Sequence, residues 1–87
     1  MSDSIELVEI RFTQAARRHR IGRSSARHVM ASTTPVSTMT AQGNLGWWYF
    51  GLDERGRELE ILAVEVGESE TYLLVVHVMP TTLRRGI

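Results

Sequence analysis

The sequence predicts an α+β domain: a short N-terminal strand, then two helices packed on a three-stranded antiparallel β-meander. Three observations carry this reading. Residues 12–30 repeat apolar side chains at helical spacing, interrupted at Gly22. Residues 47–79 fall into three β-rich runs separated by glycine-containing turns, and the last run is apolar on both faces. At 87 residues the chain makes one domain, 1–87.

Each element has its own warrant. Residues 5–11 alternate imperfectly, with Ile5 and Leu7 on one side and Glu6, Val8 and Ile10 on the other, as in a short edge strand. Thr13 is placed to cap a first helix on which Phe12, Ala15, Ala16 and His19 share a stripe, and Gly22 ends it. Ser24 is placed to cap a second helix with a stripe of Ala26, Val29 and Met30, and Pro35 stops the chain from continuing it. Residues 32–46 are rich in Ser, Thr and Gly and read as a mobile loop, or as an edge segment around Val36 to Thr40. The meander follows: Trp47 to Leu52, a turn at Asp53-Glu54-Arg55-Gly56, Arg57 to Val66, a turn at Gly67-Glu68-Ser69-Glu70, and Thr71 to Met79. On the last strand Tyr72, Leu74, Val76 and Val78 fall on one side, and Leu73, Val75, His77 and Met79 on the other.

Composition narrows the chemistry. The chain has no cysteine, which excludes disulfides and thiolate metal sites. A domain this small and unstapled commonly gains stability from a partner or from self-association. No run approaches the roughly 20 apolar residues of a membrane span. The opening Met1-Ser2-Asp3-Ser4 lacks the basic and apolar segments of a secretory signal, so the cytoplasm is the expected compartment. The formal net charge is zero, yet its distribution is uneven. From Arg11 to Trp47 every charged residue is an arginine, namely Arg11, Arg17, Arg18, Arg20, Arg23 and Arg27, and Arg84 and Arg85 lie in the tail. Such segregation lets one part of a neutral chain bind a polyanion.

Three histidines are the natural candidates for proton transfer near neutral pH. His19 lies on the stripe of the first helix, and His28 falls off the stripe of the second. His77 stands in the apolar last strand and is either an inward structural histidine or a site residue. The run Trp47-Trp48-Tyr49-Phe50 invites base stacking, but strand alternation separates Trp47 and Tyr49 from Trp48 and Phe50, so one pair belongs to a core. Glu58 and Glu60 share a strand face and read as a solvated or ion-paired surface beside Arg55 and Arg57. No residue spacing suits a metal site, and no cofactor is called for. Thr81-Thr82-Leu83-Arg84-Arg85 directly follows the last strand, where a pair of guanidinium groups could clamp a phosphate.

Several phrases together resemble a known family. Phe12-Thr13 before an alanine- and arginine-rich helix, and Arg20-Ile21-Gly22-Arg23-Ser24 opening a second helix, are similar to the start of BrnT-like toxins, relatives of the RelE toxins of bacterial toxin–antitoxin pairs. The stretch Asp53 to Glu60 resembles their D-x-x-G-x-x-L hairpin, and Val75-Val76-His77-Val78-Met79-Pro80 with Leu83-Arg84-Arg85 resembles their final strand and basic tail. The resemblance implies helices on an antiparallel sheet and binding or cleavage of RNA. It also implies neutralisation by a cognate antitoxin, of the ribbon-helix-helix type, in a hetero-complex or with homo-oligomers. By position it points to His77, His19, Arg20, Arg84 and Arg85 as catalytic residues. Arg17, Arg18, Arg23 and Arg27 are then expected to hold nucleic acid or a partner. The expected activity is that of a toxin-like endoribonuclease. The alternative is a non-catalytic interaction domain that binds a protein or nucleic acid through its basic helices.

Overall fold

The computed structural model describes residues 9–82, and within them sheet dominates. Five strands, β1 (Ile10–Phe12), β2 (Val36–Met39), β3 (Leu45–Leu52), β4 (Glu58–Val66) and β5 (Tyr72–Pro80), form one mixed sheet in the order β1-β5-β4-β3-β2. β1 runs parallel to β5, and the other pairs are antiparallel. A single helix, α1 (Arg23–Ser32), accompanies it, together with a 3-10 turn at Ala15–Arg17. Two helices on a three-stranded meander is therefore not the architecture. The meander is the middle of a larger sheet, and the first predicted helix is absent.

The lost helix has its cause in a partner distant in sequence. Thr13 does act as a cap, its Oγ1 accepting the Ala16 amide (3.1 Å), but its own amide and hydroxyl are both bonded to the Val75 carbonyl (3.0 and 3.3 Å). The chain is thus pinned to β5 as it tries to wind. Arg20 then takes a left-handed conformation (φ 60°), unusual for a residue with a side chain, and Gly22 is extended. Between these two constraints only one tight turn fits. α1 begins one residue before the predicted cap and buries Ala26 and Val29, with Met30 half-buried and Ser25 also covered. The segment expected as a loop or edge supplies β2, joined to β3 through a turn at Gly43 (φ 88°). The expected strand at 5–11 is described only from residue 9 onward, where Ile10–Phe12 pairs with Leu73–Val75.

Both α1 and the 3-10 turn pack on the same face of the sheet. Residues directly opposite one another in a ladder share a face. Tyr49, Ile61 and Val78 align across β3, β4 and β5, as do Gly51, Leu59 and Pro80. This row faces α1, and with Ala16, Ile21, Ala26, Val29, Ala63 and Val75 it makes the core. Gly51 is needed here, because a Cβ at that position would run into Thr33 Cγ2 at the end of α1. Gly51→Ala should lower stability by about 1–3 kcal/mol through overpacking. Adding Thr33→Ser, which removes Cγ2 but keeps the hydroxyl that bonds the Val29 carbonyl (2.7 Å), should recover most of the loss in urea denaturation.

Candidate functional site

Neither α1 nor the 3-10 turn packs on the other face of the sheet. Trp48, Leu62 and His77 align across it, flanked by Phe50, Glu60 and Met79 one rung along. His77 reaches this face through a bulge in β5. Val75 pairs with Ala63 but His77 pairs with Leu62, so Val76 is an extra residue and the alternation slips by one. His77 consequently lies on the side opposite Val75 and Leu73, not with them as strict alternation predicts. Val76 lines the open face, and Val75 and Val78 are the buried residues.

At the centre of this face His77 Nε2 lies 2.8 Å from Glu60 Oε2. The glutamate side chain is 5% exposed and the imidazole 34%, so a buried carboxylate holds a ring that still meets solvent. An ionised carboxylate only accepts, which places the ring hydrogen on Nε2 and leaves the lone pair of a neutral imidazole on Nδ1. The Trp48 ring meets His77 edge-on (centroids 5.8 Å apart, planes at 78°), and Phe50 stacks on Trp48 (5.8 Å, 14°). Phe50 is 44% exposed, so a flat aromatic surface adjoins the histidine. On the other side of Leu62 lies an apolar groove of about 480 Å³ lined by Val64, Leu74 and Val76, with Gln42 and Asn44 also on its wall. Thr81, at the start of the predicted tail, donates to Glu58 Oε1 (2.9 Å) beside the Glu60–His77 pair.

The predicted site residues divide between the two faces. His77 is on the open face. His19 and Arg20 follow the 3-10 turn that packs against β5 from the covered side, so they do not join His77. Arg17, Arg18, Arg23 and Arg27 are exposed on that same helical layer, with Arg27 over the Phe12 ring (5.7 Å) and donating to the Ile10 carbonyl (3.4 Å). Arg84 and Arg85 lie outside the described residues. Two participants went unread in the sequence. Glu60, taken for a surface acid, is buried, and Arg11, on the open side of β1, stacks over Tyr72 (4.1 Å) while paired to Glu9 (2.7 Å). The signal for Glu60 was its setting between Leu59 and Ile61-Leu62-Ala63, a run without alternation and hence a strand buried on both faces.

No group of three His, Asp or Glu side chains among the described residues could hold a metal ion. Nor is any helix among them long and apolar enough to cross a membrane. No family model, curated protein or solved structure matches the chain.

Proposed function

We propose that this chain is a toxin-like endoribonuclease of a bacterial toxin–antitoxin module, acting in the cytoplasm on single-stranded RNA at the open face of its sheet. The observation that carries the reading is the half-exposed His77 held by buried Glu60 beside the Trp48–Phe50 surface. Unpaired bases stack on exposed aromatic rings whatever their identity, each contact being worth about 1–3 kcal/mol. A base seated on Phe50 and Trp48 brings its ribose toward the imidazole. His77 Nδ1 then takes the proton of the 2′-hydroxyl, O2′ bonds to phosphorus, and the P–O5′ bond breaks as the 5′ oxygen is protonated by solvent, to which the His77 imidazolium returns its proton. Glu60 fixes the tautomer and stabilises the imidazolium that forms. Arg84 and Arg85 are proposed to neutralise the phosphorane, and a cognate antitoxin to cover this face.

The reading is tested on a fluorescent single-stranded RNA in the presence of a chelator. Cleavage should leave a 2′,3′-cyclic phosphate and a 5′-hydroxyl. Trp48→Ala should raise KM by about 10-fold or more through the lost stacking. Intact RNA after prolonged incubation, or products with 3′-hydroxyl ends, would sink the proposal.

A further inference from the structure

The two edges of the sheet are built differently. β1 has three residues and carries the exposed Glu9–Arg11 ion pair. Charge on an edge opposes the addition of another strand. β2, at the far edge, reads Val36-Ser37-Thr38-Met39, without a charge, and Val36 and Met39 are 59% and 64% exposed. Its ladder phase is fixed by the bond from the Thr40 amide to the Asn44 carbonyl (2.9 Å). By antiparallel alternation Thr38 and Val36 likewise turn their main-chain groups toward β3, and Ser37 and Met39 turn theirs outward.

We infer that β2 pairs antiparallel with β2 of a second copy of this chain, about a two-fold axis at Thr38. In this register Ser37 of one copy lies opposite Met39 of the other, and the outward N–H and C=O groups of both residues are satisfied. Ser37 and Met39 both belong to the α1 side of the sheet and Thr38 to the open side, so every opposed pair shares a face. Thr38 meets Thr38 of the second copy at the axis, a favourable cross-strand hydroxyl pair. Centring the axis on Ser37 instead would set the Met39 carbonyl against Pro35, which has no N–H to offer. A copy of itself fits this edge for two further reasons. Its formal net charge is zero, so two copies meet without net repulsion, and a small cysteine-free domain gains from association. The pairing joins the two sheets into one, with both His77–Glu60 pairs facing the same way.

The native chain has no cysteine, so Thr38→Cys introduces a single thiol, at the axis. Its pair is of the non-hydrogen-bonded kind, with Cα atoms about 4.5 Å apart, within disulfide range. Mild oxidation should link most of the protein as dimers, on the order of 10-fold faster than Ser24→Cys on the exposed side of α1, given that geometry. Equal rates would overturn the inference. Sedimentation of the unmodified chain should show a dimer. Thr38→Lys, which opposes like charges at the axis, and Ser37→Pro, which removes only an outward N–H, should each leave a folded monomer. A wild-type chain still monomeric at about 100 μM, or folded variants that still dimerise, would also overturn it.

Discussion

His77→Ala should slow RNA cleavage by about 10²–10⁴-fold, the usual worth of a positioned general base, while the folded domain persists. The ring is 34% exposed and lies outside the buried core, so its removal leaves space open to solvent and not a sealed cavity. No cavity cost is therefore added, and the expected loss of stability is that of the hydrogen bond taken from the buried Glu60 carboxylate, about 1–3 kcal/mol, measured by thermal melting. Glu60→Gln should be milder, about 10–100-fold in kcat, because an amide oxygen can still receive the Nε2 hydrogen but offers no charge to the imidazolium. KM should stay near the wild-type value in both variants, since stacking on Trp48 and Phe50 is untouched. A purely structural histidine is told apart by the activity of the folded fraction. Melting temperature would fall, and the fraction still folded would cleave at the wild-type rate.

The parts of the fold that could be read in the sequence are those determined locally. β3, β4 and β5 stand within two residues of their predicted limits, because each is a β-rich run that adjoins a turn with glycine at positive φ, Gly56 (81°) or Gly67 (108°). The remaining differences are set by distant partners. β1 pairs with β5 across some sixty residues (Phe12 with Val75), and nothing in either segment specifies a parallel neighbour. Thr13 caps as expected, yet its bonds to the Val75 carbonyl prevent the helix it was read to start. β2 has no apolar alternation and becomes a strand because β3 offers it an edge. His77 was singled out as a polar residue in an apolar strand, but its face depends on a bulge at Val76 that a period of two cannot reveal. Its neighbours Glu60 and Trp48 are brought to it by the register of β3, β4 and β5, which fixes the pairings Trp48–Leu62 and Leu62–His77.

Asp53→Ala should cost about 2–3 kcal/mol and lower the melting temperature by roughly 10–20 °C at this chain length. The D-x-x-G-x-x-L stretch is where β3 turns into β4, and each of its residues has a folding task. Asp53 Oδ1 accepts the amides of Arg55 (2.9 Å) and Arg57 (2.8 Å), and Oδ2 accepts Arg57 Nε (2.8 Å). Gly56 supplies the positive φ, its amide bonding the Asp53 carbonyl (3.0 Å), and Leu59 is fully buried in the core. The Asp53 side chain is itself fully covered, so truncating it leaves amides in the turn unpaired. Burial alone would raise the Asp53 pKa. The amides of Arg57 and Arg55 and the Arg57 guanidinium outweigh it and hold the carboxyl below its ordinary value. A depressed carboxyl contributes stability that is fully present above its unfolded pKa of about 4 and is lost as pH falls through the lower folded value. The melting temperature of Asp53→Asn, which keeps an acceptor but no charge, should therefore lie below the wild type at neutral pH. The gap should close progressively below about pH 4. A gap that stays constant into acid would mean that Asp53 acts through shape alone, and an Asp53→Ala variant melting with the wild type would remove it from the turn's stabilisation altogether.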